Sequence, residues 1–280
     1  DALKDNNIAV AGAGRNIMEA RQPVILERNG TRIGFLAYLS IIFPGLIAEE
    51  DTPGCAPLRA SHYYKQMDFQ PGTPPLTVTA LFPEDKKAME DAIKQLRAQV
   101  DVLVVSMHAG VHFVPATVAM YQKEAAYHAI DTGADLVLQH HAHILKGIEV
   151  YKGKAIYYGL GNFALEHSLH RPGTPKDKDF SYRTLREFYR VKPIPGWEQY
   201  KYLPDARMTM IAKAYIQDKR IQKVTYIPAY VNPHMEPEVV TRKDPRAQEV
   251  FDYVSKISED QELKVAFSWD GDEVLVGAGS

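Results

Sequence analysis

Cysteine occurs once in the 280 residues, as Cys55. A lone thiol excludes an intrachain disulfide framework and leaves the redox compartment open. An excess of either charge is missing as well: 33 Lys and Arg stand against 35 Asp and Glu, a net charge of −2. Nucleic-acid binders normally carry a strong basic excess, so no nucleic-acid partner is expected. No apolar run approaches the ~18 residues that a membrane span needs. No secretory signal pattern opens the chain, and no internal repeat or low-complexity tract interrupts it. The first residue is Asp1, and Asp1 to Asn6 read like the end of a helix begun earlier. The natural amino terminus is therefore expected upstream, and only there could a membrane anchor lie.

What is present is enough apolar material, 45% of residues, to bury a sizeable core. Apolar strands alternate with amphipathic helices. Arg32 to Tyr38, Leu76 to Leu81, Asp101 to Met107 and Asp135 to Gln139 read as strands. Glu84 to Gln99 reads as a helix with Ala88, Ala92, Ile93 and Leu96 on one face. Val118 to Thr132 is a second helix, stopped by Gly133. This order predicts an α/β layered fold. A hairpin is expected around Lys152-Gly153, a strand pair over Met208–Ile216 and Arg220–Ile227, a helix over Pro245–Ile257, and a closing hairpin at Asp270-Gly271.

The chemistry concentrates in histidine. Gln139-His-His-Ala-His143 follows an apolar strand, and α/β sheets place ligand sites beyond the carboxyl ends of strands. In an extended segment, residues two apart point the same way. His141 and His143 are thus expected to face one side, with His140 turned elsewhere or supporting them. His108 follows the other buried strand, so adjacent strands would bring it to the same crevice. Three imidazoles there form a partial site for zinc, manganese or iron. A solvated histidine-rich loop is the bland alternative, and three histidines in four residues after a buried strand weigh against it. His108 and His112 also show helical zinc-site spacing, but Gly110 argues for a loop and no Glu follows His108.

Other features are weaker. Gly12-Ala-Gly14-Arg-Asn16 begins like a dinucleotide fingerprint but has Ile17 where the motif continues. It reads as a turn after a short strand, Ile8 to Ala11. Arg15 is either bland there or an anion clamp, because guanidinium matches phosphate and carboxylate. Asn162, in the turn after Ile156–Tyr158, either shapes that turn or orients a histidine or a substrate. Residues 166–204 hold five of the 18 prolines and seven aromatics, with six basic against three acidic residues between Lys176 and Lys192. That composition predicts an insertion or lid that selects an anionic polymeric or aromatic substrate.

Taken together, several segments resemble the bacterial capsule-synthesis (CapA-type) family, linked to poly-γ-glutamate. They are Gly12 to Asn16 with Glu19 to Pro23, Ile33 to Tyr38, Val104 to Gly110, Gly133 to Val137 running into His140–His143, Gly147 to Tyr151, and Tyr157 to Phe163. The resemblance implies a single metallophosphatase-like domain: a sandwich of two mixed β-sheets flanked by helices, with 166–204 inserted. It implies that His108, His141 and His143 are ligands of a two-metal site (Mn, Zn or Fe), completed by residues upstream of position 1. In that frame His108, His140 and Asn162 serve catalysis, and Arg15 and His112 serve substrate binding. The family usually has Gly where Gln139 stands, and often an acidic residue where His112 stands. The implied activity is metal-dependent hydrolysis of an ester or phosphoester, at an extracytoplasmic or cell-surface location. A non-catalytic binder of an anionic capsule polymer is the alternative.

Overall fold

In the computed structural model, residues 2–41, 43, 45–164 and 202–279 are described. A short helix α1 (Ala2–Asp5) is followed by β1 (Ala13–Gly14), α2 (Ile17–Ala20), the hairpin β2 (Val24–Arg28) and β3 (Thr31–Leu39), and β4 (Gly54–Cys55). Strands β5 (Ala60–Lys65) and β6 (Leu76–Leu81) precede α3 (Pro83–Arg97), β7 (Val102–His108), α4 (Met120–Thr132) and β8 (Leu136–His140). Next come β9 (Ile148–Tyr151) and β10 (Lys154–Tyr157), then β11 (Met208–Gln217), β12 (Arg220–Val231) and β13 (Pro237–Val239). Helix α5 (Pro245–Glu259) and the hairpin β14 (Ala266–Asp270) and β15 (Glu273–Gly277) close the chain.

The first sheet has the order β2-β3-β7-β8-β10-β9. Its β3, β7, β8 and β10 run parallel, while β2 and β9 are antiparallel edges. The parallel strands are apolar on both faces because both faces are covered. On one side α3 and α4 bury Met89, Ile93, Leu96, Tyr121, Ala125 and Ala129 against Leu36, Leu103, Val105 and Met107. On the other, Val102, Val104, Leu136 and Tyr157 meet Met208, Met210, Tyr226 and Val274 of a second sheet, β11-β12-β15-β14 with β13 beside β12. The architecture is an α/β sandwich of two sheets flanked by helices. The first sheet is mixed, and the described pairings of the second are all antiparallel.

Local chemistry explains the elements. Helix α3 starts with Pro83, carries Glu84 and Asp85 in its first turn and Lys94 and Arg97 in its last, all matched to the helix dipole. Its buried stripe runs through Met89, Ile93 and Leu96, one position over from the Ala88 expected. Gly133 ends α4 with φ 133°.

One expectation is corrected. Ile8 to Ala11 form no strand; the chain there leads into the turn at Gly12 (φ 84°), and the short strand is β1 instead. The expected strand Leu76–Leu81 forms with those bounds; it pairs with β5 outside the main sheet and packs beside α4. The proposed lid falls largely on 165–201, outside the described residues.

Candidate metal centre at the strand ends

The parallel register sets His108 opposite His140 at the carboxyl ends of β7 and β8. Beyond that point the chain does not stay extended. His141 has φ 99° and His143 φ 57°, both left-handed. The i, i+2 alternation expected for an extended segment therefore does not operate; two left-handed residues turn the rings instead. The imidazoles come together by this other route. His141 Nδ1 lies 3.0 Å from His108 Nε2, and their ring centroids are 4.8 Å apart. The His141 and His143 centroids are 6.4 Å apart. His112 stacks on His141 at 3.8 Å and lies 5.3 Å from His143. His140 makes no hydrogen bond or ring contact with these rings among the described residues, though it acts electrostatically on His108.

Asn162 sets the state of His143. Its Oδ1 lies 2.7 Å from His143 Nδ1. An amide oxygen only accepts, so Nδ1 donates and Nε2 is left facing away from Asn162. Its Nδ2 also donates to the His143 carbonyl at 3.3 Å. This is the arrangement by which proteins orient ligand imidazoles. Gly161 makes the approach feasible: at φ 75°, an added Cβ would sit 2.8 Å from the Met208 carbonyl. Tyr202 stacks on His143 at 5.3 Å, and Phe113 lies 5.9 Å from it.

Burial disfavours charge on His108, His112, His140 and His141. It pushes His141 down to about 3 and His112 down to about 4, with neighbouring histidines adding to the shift. Burial also lowers His108 and His140. Neutral imidazole is the ligand form. His112 Nε2 is buried without a partner. These nitrogens are of a type that divalent metals take, yet among the described residues no group of three or more His, Cys, Asp or Glu side chains, these histidines included, is arranged to hold an ion.

Residues outside the histidine motifs hold the site in shape. Gln122 of α4 donates to Gln139 Oε1 at 2.8 Å, and Gln139 Nε2 returns a bond to the Gln122 carbonyl at 3.1 Å. Both amides are fully enclosed. The Tyr121 hydroxyl accepts from Gly110 N at 2.7 Å. Gly110 has φ 120°, and a Cβ there would strike Gln122 Nε2 at 2.6 Å. Helix α4 thus fastens both histidine loops. Replacing Gln139 by Leu strands the Gln122 amide, and a loss of about 1–3 kcal/mol of unfolding free energy is expected by urea titration; an unchanged midpoint would refute the fastening role.

Arg15 takes no part in the contacts of the ring cluster described above. It is exposed on the turn into α2, where its backbone N–H donates to Glu19 Oε2 at 2.8 Å and Asn16 caps the helix.

An α/β sandwich with an imidazole cluster at the carboxyl ends of its parallel strands defines a fold with a candidate metal crevice. Residues 1–167 match the family model for the bacterial capsule synthesis protein PGA_cap. The chain belongs to this family. Relatives include the PGA biosynthesis protein CapA of Bacillus subtilis, 26% identical over 166 residues, covering 59% of this chain and 37% of that protein. The capsule biosynthesis protein CapA of Bacillus anthracis is 26% identical over 170 residues, 61% of this chain and 36% of its own. A probable polyglutamine synthesis accessory protein of Mycobacterium tuberculosis is 29% identical over 168 residues, 58% of this chain and 38% of its own. The chain spans little more than a third of the length of these relatives. Among solved structures, a putative 5′-nucleotidase from Staphylococcus aureus covers 90% of this chain and 36% of its own at 9% identity and a TM-score of 0.33, too slight a likeness to argue from.

Proposed function

We propose that this chain contributes to a metal-dependent hydrolase of ester or phosphoester bonds, working on an anionic polymer or a small ester substrate in capsule or poly-γ-glutamate synthesis. The observation that carries this reading is the facing pair His108 Nε2 and His141 Nδ1 beside a His143 whose tautomer Asn162 sets. In this reading His108, His141 and His143 hold divalent ions, two in a complete site, of manganese, zinc or iron. Such ions supply a hydroxide at neutral pH and clamp the charge of the transition state. His112, whose Nε2 is buried and unpartnered, donates to the substrate. In this reading His140 serves catalysis beside His108, and Arg15 serves as an anion clamp for the substrate. The capsule-linked names of the relatives favour an extracytoplasmic or cell-surface location. Among the described residues no helix is long and apolar enough to cross a membrane.

A second reading is favoured by the absence, among the described residues, of any group of three or more His, Cys, Asp or Glu side chains arranged to hold an ion: a non-catalytic member that uses the crevice to hold an anionic polymer. One experiment separates the two. The protein is assayed on a generic aryl phosphodiester with manganese or zinc, and its affinity for poly-γ-glutamate is measured before and after chelation. The hydrolase reading expects turnover only with metal, lost in His141→Ala and His143→Ala. Absence of turnover with polymer affinity surviving chelation would leave the binder.

A further inference from the structure

Arg21 Nε, Tyr38 Oη and Ser40 Oγ are buried and have no hydrogen-bond partner. Native proteins seldom bury polar groups unpartnered, and here Tyr38 and Ser40 stand two residues apart while Arg21 acts electrostatically on Tyr38. Tyr38 lies on β3, and Ser40 follows two residues later, just past the end of that strand. Leu36 and Tyr38 belong to the core covered by α3 and α4, together with Ala20. Arg21 follows Ala20 directly as the last-turn cap of α2, its backbone N–H held by the Ile17 and Glu19 carbonyls. The Arg21 guanidinium is close enough to Tyr38 to oppose the upward push of burial on its hydroxyl.

The place matters as much as the inventory. Tyr38 pairs with Met107 and Leu39 with His108, so the trio stands at the same strand ends as the imidazoles. The Ser40 N–H donates to the His108 carbonyl at 2.9 Å. Yet Tyr38 points to the helix-covered face, away from the side that His108 takes. The trio is therefore a separate site, one strand over from the histidine cluster.

We propose that Arg21, Tyr38 and Ser40 form a binding site for a small oxyanion, a carboxylate or phosphate group. A planar guanidinium supplies charge and N–H donors that match such groups. Two hydroxyls add donors that rotate to suit. The site requires neither the metal nor the imidazoles, so it stands whether or not the chain is a hydrolase. It would hold a charged group of a ligand that extends across the strand ends.

The test is calorimetric titration of the full chain, in chelator, with inorganic phosphate and separately with acetate. Saturable one-to-one binding of either anion is expected, and the arm that binds identifies the group. Arg21→Gln should weaken it at least about tenfold, the scale of a lost charge-assisted hydrogen bond. Tyr38→Phe and Ser40→Ala keep the packing and should each weaken it several-fold; they decide the matter if Arg21→Gln does not fold. His141→Ala should bind as the parent does. No saturable binding of either anion would overturn the proposal. So would unchanged binding in Tyr38→Phe and Ser40→Ala, or loss confined to His141→Ala.

Discussion

Replacing Tyr157 by alanine is expected to cost about 3–5 kcal/mol of unfolding free energy, the range for removing a buried aromatic. Tyr157 sits at the end of β10 between β8 and β9, fully buried. Its ring lies in the apolar layer between the two sheets, and its hydroxyl donates to the Thr225 carbonyl of β12 at 2.8 Å. One side chain therefore both fills the layer and pins the sheets. Tyr157→Phe separates the two roles. It keeps the packing and strands one carbonyl, so about 1–3 kcal/mol is expected. Urea unfolding of both variants measures the split. Equal losses would assign the whole effect to the hydrogen bond, and a loss in Tyr157→Ala below about 1 kcal/mol would deny that the layer joins the sheets.

The second large effect depends on pH. Lys146 is completely buried. Its Nζ donates to the carbonyls of Val114 and Thr117, the latter at 3.1 Å. These carbonyls belong to the loop after His112, so the lysine ties that loop to the segment after His143. Burial pushes its ammonium down to about 8. The folded pKa is thus below that of the unfolded chain, about 10.4. Between the two values the unfolded state binds more protons, so stability rises with pH there. From about pH 7.5 to 9.5 the gain is about 2 kcal/mol by linkage. Subtracting the same measurement on Lys146→Met removes the contribution of other titrating groups. A difference that stays flat across the window would show that Lys146 titrates as an exposed lysine does.

Much of the frame was legible because the parallel strands announce themselves. The run Val102 to Met107 is apolar at nearly every position, as burial on both faces requires, and the helices on either side carry their stripes openly. The place of the histidines followed from the same logic, since strand ends converge. Their orientation was not legible. Whether His141 and His143 are extended or left-handed depends on the path between β8 and β9, and histidine is compatible with either. The amide pair of Gln122 and Gln139 was hidden as well, because 17 residues separate the partners and each alone reads as a polar side chain out of place. The polar Gln139 at the end of an otherwise apolar strand was the available signal. Strand β6 was read as a strand, but its partner β5 was not, for a pattern gives type and not neighbour.

The left-handed backbone at His141 and His143 also governs what could replace them. A branched Cβ is costly there, whereas asparagine and glycine enter that region readily. If both codons were randomised and the library sorted for folded protein alone, Asn and Gly would be enriched over Val and Ile. Recovered sequences would then carry a record of chain geometry at this spot, separable from any demand for an imidazole. A neutral drift from His141 to Asn would leave the scaffold intact while removing an imidazole from the crevice, so loss of that ring has an easy path that loss of fold does not.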